Sequence, residues 1–328
     1  MPNSKALTIE KTVDVEVLKK YKEFFASGYF EELDASPIIR WSRAVRRRFE
    51  NRFLPPYNGE LLYPSGPAYL GTEDNIIGPS YSFTWFYNES ALEQKISHAE
   101  EEEKPTFEFV RDSMRSLESQ LDVMKTPHTV GGRGYTHSIP NYGRVIREGL
   151  SEYARRIELN LLNAQRQNNK EKIDFYLGML DVLSGIRSWH QRILNLLSNT
   201  KMDDPDLDER RKNLVSAYER IPFLPATNFF EAVTAYNFVY YLDDCDNPGR
   251  IDQELISYYE NDLKSGKITY EDAVRLIRCI WENCDANNGW SSGIGGTTSS
   301  GDPGYNELTL ACLQSAHKIR RPNLQLHV

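Results

Sequence analysis

The chain has 328 residues, 40% hydrophobic and 26% charged, with a formal net charge of -8 at pH 7. That length buries enough surface for one large or two smaller globular domains, and the acidic balance excludes nucleic acid as a main partner, because phosphate binding needs a basic face. The apolar runs fall far short of the ~20 residues of a membrane span, and no apolar signal segment is visible at the N-terminus.

Residues 14–50 read as helical and carry a basic stretch, Arg40, Arg43, Arg46, Arg47 and Arg48. This stretch reads as a solvated face with carboxylate partners rather than an anion site. Residues 53–90 hold Pro55, Pro56, Pro64, Pro67 and Pro79 among aromatics such as Tyr57, Tyr63, Tyr81 and Trp85. Prolines break any helix there, and that much aromatic surface would not stay in water, so an extended segment wrapped on a core is expected. Between Pro140 and Ser198 apolar residues repeat at three and four. Two long amphipathic helices follow from this, joined by a polar hinge at Gln165–Lys172. Asp203–Asp206 marks a break. Helices are then expected around 209–220, 228–243 and 251–264, the last ended by Ser265-Gly266. Thr269 and Asp272 form a capping box for the next helix. A glycine-rich loop at 288–304 feeds a helix holding Leu308 and Cys312. Residues 322–328 then alternate as a half-buried strand. The sequence stops inside this strand, so a further segment or partner is expected to cover its face and edge.

Candidate chemistry is sparse. Cys245, Cys279, Cys284 and Cys312 have neither CxxC nor zinc spacing and read as reduced, mostly buried thiols. Two glycine-rich places stand out, Thr129–Arg144 and Asn288–Gly304. Each runs into a helix whose N-terminal amides suit an anion or carbonyl oxygen, but neither is a nucleotide motif. His128 and His137 are too loosely spaced to define a metal site. Asp243, Asp244 and Asp246 lack calcium-loop spacing and read as a turn. His190 lies on an apolar helix and reads as structural. No metal site is expected.

Longer runs carry a resemblance. Gly293-Ile294-Gly295-Gly296-Thr297, Tyr305-Asn306-Glu307-Leu308-Thr309 and Pro322-Asn323-Leu324-Gln325-Leu326 resemble the "GG … NELT … PNL" run of glycyl radical enzymes, the pyruvate formate-lyase-like family. Upstream, Pro225–Ala232 is similar to the family's "P-x-T-F-x-E-A" helix start. Pro248-Gly249-Arg250-Ile251-Asp252-Gln253 is similar to "GR-x-DQ", and His137–Tyr142 to "GH-x-x-P-D-Y". These runs occur in family order across residues 125–328.

The resemblance implies an α/β, predominantly helical chain. It is expected to be the N-terminal portion of a ten-stranded barrel surrounded by helices, with residues 1–124 as a helical and extended wrapping region. The implied chemistry is a lyase or dehydratase reaction by thiyl-radical hydrogen abstraction in an anaerobic cytoplasm. No cofactor is bound. A radical-SAM activase installs a glycyl radical on a C-terminal segment that this sequence lacks, together with the catalytic cysteine, so the chain alone is expected to be inactive. Cys312, at helical spacing with Leu308, Ala316 and Ile319, cannot replace that cysteine. By the same resemblance His137, Arg144, Ser291 and Ser292 bind a small-molecule substrate, and the protein forms a homodimer. Asn141 and Thr136 depart from the family's acid and glycine. A truncated homologue serving as a binding or structural protein is the alternative.

Overall fold

The computed structural model describes residues 13–68, 76–79, 85–123 and 139–327. By contacts the chain divides into two compact units: 1–51, 71–136 and 170–185 form the first, and 52–70, 137–169 and 186–328 the second. No helix among the described residues is long and apolar enough to cross a membrane.

In the first unit the helical stretch expected over 14–50 is three helices: α1 (Val15–Lys20), α2 (Phe24–Tyr29) and α3 (Pro37–Asn51). Lys22, with φ 61°, breaks the first junction, and Pro37 opens α3 where its missing N–H costs nothing. A short antiparallel pair follows, β1 (Ile77–Pro79) and β2 (Trp85–Tyr87), then α4 (Glu89–His98) and α5 (Lys104–Val123). Leu18, Phe25, Phe30, Leu92, Phe107 and Met114 form the core of this unit. Inside it, buried Glu23 accepts from the Ile76 N–H at 2.9 Å and from Lys95. The basic face of α3 has its carboxylates: Arg43 pairs with Glu32, Arg46 with Glu50 (2.7 Å) and Asp181 (3.1 Å), and Arg47 with Glu31 (3.0 Å).

In the second unit the first long helix is split into α6 (Tyr142–Glu148) and α7 (Leu150–Arg166). The break is Gly149, with φ 74° and ψ 156°, a conformation open essentially to glycine alone. A Cβ there would overlap the Phe223 carbonyl. The freed amides of Leu150 and Ser151 donate instead to Pro222 O (2.8 Å) and Phe223 O (3.0 Å). The helix α8 (Lys170–Asn199) contributes residues from Ile186 onward to this unit. Next come α9 (Pro205–Tyr218), α10 (Phe229–Leu242), α11 (Ile251–Lys264), α12 (Tyr270–Ala286), β3 (Ser291–Gly295), α13 (Glu307–Ser315) and β4 (Asn323–His327). The α10 helix is apolar almost all round and buried along nearly its full length, which makes it central to the core. The expected capping box of α12 is present.

The expected terminal strand is present as β4, and it pairs in parallel with β3, from Ser291 opposite Asn323 to Gly295 opposite His327. The start of the expected glycine-rich loop is therefore a strand. Serine and glycine obscure it in sequence, because β-propensity rests on side-chain packing that these residues lack.

Residues 52–68 run extended against the second unit's helices, as the prolines demand. Their polar backbone is satisfied by side chains rather than by a sheet. Asn237 Nδ2 donates to Pro64 O (2.8 Å), Tyr218 Oη to Tyr63 O (2.5 Å) and Tyr241 Oη to Gly66 O (2.6 Å). Buried Asn283 accepts from the Gly66 N–H at 3.0 Å and donates to Asn237 Oδ1 at 2.9 Å. Asn287 accepts from the Ala68 N–H at 2.7 Å. Replacing Asn283 with Ala orphans these buried partners, each costing about 1–3 kcal/mol. Urea unfolding of Asn283→Ala is expected to show a loss of about 3 kcal/mol at unchanged m-value. A loss under about 1 kcal/mol would mean that this side chain does not hold the segment.

Candidate functional site

The motif residues converge in the second unit, where the first turns of α11 and α13 meet β3 and α6 packs on α10 and α11. Asn141 caps α6, its Oδ1 accepting the Arg144 N–H at 3.1 Å. Aspartate and asparagine serve equally as N-caps, so this position needs no acid to start α6. Tyr142 is fully buried, stacks on Tyr236 at 4.0 Å and donates its hydroxyl to Asn247 O at 2.8 Å.

The first turn of α11 then grips the glycine-rich segment. Arg250 donates to the Gly295 carbonyl. Asp252 Oδ2 accepts from the Gly295 N–H at 2.7 Å and from Thr309 Oγ1 at 2.6 Å. Gln253 Nε2 donates to Gly304 O at 2.5 Å. Asn306 and Thr309 form a capping box at the start of α13. Gly295 has φ 70°, and a Cβ there would lie 2.6 Å from the His327 carbonyl, so only glycine lets β3 end this close to β4.

Of the sequence-predicted site residues, Ser291 and Ser292 lie on β3 within this constellation and Arg144 lies on α6 outside it. His137, like His128, lies outside the described residues. Arg144 is on α6, its Nε 3.1 Å from Glu148 Oε2 and its guanidinium 5.1 Å from the Tyr153 ring centroid. Ser291 is half-buried at the start of β3. Ser292 is fully buried, and its hydroxyl donates to Gly249 O at 2.5 Å. Sequence reasoning places Arg250, Asp252 and Gln253 in a motif but not among the site residues. The available signal was three polar side chains within four residues at a helix start, more than a cap requires.

The cysteines offer no nucleophile. Burial pushes Cys279 and Cys284 up to about 12, and raises Cys245 and Cys312 well above the usual thiol range. At neutral pH all four stay protonated. Cys312 is fully buried in α13, and its carbonyl accepts from Trp281 Nε1 at 3.1 Å. His190 is also structural: its Nε2 lies 2.8 Å from Tyr218 O and 3.0 Å from Ile221 O, and burial depresses its basicity. No group of ligating side chains among the described residues could hold a metal ion.

The acidic segment between α10 and α11 is a turn, with Asp244 and Cys245 both at left-handed φ (55° and 60°). Arg52 pairs with Asp244 at 3.1 Å, and the Asp246 carbonyl accepts the Trp290 N–H at 2.7 Å, leading into β3.

Against known proteins, a family model described as "Pyruvate formate lyase-like" matches residues 86–328. The chain belongs to the pyruvate formate lyase-like family. It is 25% identical to the isethionate sulfite-lyase of Oleidesulfovibrio alaskensis over 63% of this chain and 28% of that protein. It is 22% identical to the (2S)-3-sulfopropanediol dehydratase of Klebsiella oxytoca over 95% of this chain and 43% of the relative. Among solved structures, one addressing 1,2-propanediol dehydration in Roseburia inulinivorans superposes with a TM-score of 0.72 at 19% identity, covering 100% of this chain and 48% of the other. The B12-independent glycerol dehydratase of Clostridium butyricum gives a TM-score of 0.72 at 18% identity, covering 94% and 45%. This pyruvate formate lyase-like chain thus has the helical, few-stranded fold of part of a glycyl radical enzyme. It spans less than half the length of these relatives.

Asp243 supplies a test of the turn. Burial, then the charges of Asp246 and Asp244, raise its carboxyl to about 7. The folded state therefore holds a proton that the unfolded chain releases near pH 4, and stability falls as pH rises from about 4 to 7. Asp243→Asn removes that penalty. Its melting temperature is expected to exceed the parent's at pH 8 and to match it near pH 4. A variant less stable than the parent at pH 8 would contradict the raised carboxyl.

Proposed function

We propose that this chain is the N-terminal part of a glycyl radical lyase or dehydratase acting on a small hydroxylated organic anion. The observation that carries the reading is the meeting of the "PGRIDQ", "GIGG", "NELT" and "PNL" runs around one parallel strand pair. In this reading β3 and β4 are early strands of a ten-stranded barrel whose remaining strands come from sequence beyond these 328 residues. The relatives named for isethionate and sulfopropanediol support an anionic substrate carrying a hydroxyl group.

The hydrogen-abstracting cysteine and the glycyl radical, installed by a radical-SAM activase, belong to that further sequence, and the chain alone is inactive. The enzyme is a cytoplasmic, anaerobic homodimer. The contribution of this chain is the scaffold and part of the substrate pocket. By the resemblance His137, Arg144, Ser291 and Ser292 bind the substrate, and the Arg144 guanidinium, whose Nε donates to Glu148, keeps its remaining N–H groups for an anionic group such as a carboxylate or sulfonate.

Incubation with the activase is expected to yield a glycyl EPR signal in the complete protein and none in the 328-residue chain. A complete protein without a radical under activating conditions would sink the reading. In that complete protein, Arg144→Ala is expected to weaken an anionic substrate by about tenfold or more, as for loss of a charged hydrogen bond. Unchanged affinity would remove Arg144 from the pocket.

A further inference from the structure

We propose that Asp252 is the positioning residue of this site, and that it acts through one oxygen as a hydrogen-bond acceptor, a role an amide oxygen can also fill. Asp252 is fully buried. Its Oδ2 receives both the Gly295 N–H, at 2.7 Å, and the Thr309 hydroxyl, at 2.6 Å. Its Oδ1 is buried with no hydrogen-bond donor among the described residues.

Each partner of Oδ2 is itself fully engaged. The Thr309 hydroxyl spends its single proton on Asp252 and accepts the Asn306 N–H at 3.0 Å. Asn306 Nδ2 reaches back to the Asp252 carbonyl at 3.4 Å. Gly295 is held on both sides, its N–H by Asp252 and its carbonyl by Arg250. A glycine strand end has no side chain to pack, so hydrogen bonds alone decide where its backbone lies. One carboxylate oxygen therefore ties the end of β3 to the first turns of α11 and α13.

The inactive second oxygen gives the proposal its edge. An asparagine at 252 can place its carbonyl oxygen at the Oδ2 position and keep both bonds. Its amide then stands where no donor exists to oppose it. Alanine leaves the Gly295 N–H and the Thr309 hydroxyl without an acceptor. The catalytic meaning of this placement rests on the reading that β3 lines the substrate pocket, whereas the placement itself does not.

Hydrogen exchange on the 328-residue chain separates the two. Asp252→Ala is expected to speed exchange across 291–297 by about tenfold or more, the loss expected when buried hydrogen bonds are removed, with α7 unchanged. Asp252→Asn is expected to stay within about threefold of the parent, within the scatter of a preserved bond. Should Asp252→Ala fail to fold, Thr309→Val against Thr309→Ser carries the same comparison: the valine variant speeds exchange at 291–297 and the serine variant restores it. Equal acceleration in α7 and β3, or an asparagine variant as fast as alanine, overturns the proposal. In the activated complete enzyme the alanine variant is expected to lose turnover and the asparagine variant to retain it. The predicted exchange pattern with unchanged turnover keeps the positioning role and defeats only the pocket reading.

Discussion

The glycine end of β3 has almost nothing of its own to define its position, and the structure resolves this by anchoring it from outside. The shared acceptor is Asp252 Oδ2, taking a backbone amide from β3 and a hydroxyl from α13. Arg250 and Gln253 on the same helical turn take the carbonyls of Gly295 and Gly304. The first turn of α11 thereby supplies the contacts that side-chain packing provides elsewhere. A buried carboxylate is tolerable there because an oxygen with two donors offsets much of its desolvation.

The same solution recurs along the extended segment 52–68. Its backbone has no sheet to join, and side chains from α9, α10 and α12 meet its carbonyls and amides one by one. Asn237 and Asn283 bond each other as well as the segment. Removing one member therefore leaves several buried groups without partners. In both places an irregular backbone is held by polar residues on regular helices, an arrangement that fixes geometry where glycine or proline prevents a helix or a sheet from doing so.

Family membership fits this division of labour. The matched region, 86–328, contains every element of the strand-pair constellation. The helices provide rigid starts, and the glycines allow backbone to approach backbone closely. Three thiols are buried and Cys279 is half-buried, burial raises all four above the usual thiol range, and His190 is committed to two carbonyls.

Much of the helical architecture was legible in the sequence. The limits of α11 and the capping box of α12 followed from Gly266, Thr269 and Asp272, because caps and turns act within a few residues. The terminal strand followed from its alternation, and the extended character of 52–68 from its prolines. The split at Gly149 was hidden, since it depends on a close approach to Phe223 from a distant part of the chain. The strand at Ser291–Gly295 was hidden as well, because it exists through pairing with β4 and bonds to Asp252. Arg144, conspicuous in sequence, is placed beside Glu148 and Tyr153 on its own and the next helix, whereas Asp252, quoted only as part of a motif, sits at the junction of three elements. Local propensity is written in neighbouring residues. The partner of a buried polar atom is chosen by tertiary packing, and that choice decided which residues share the site.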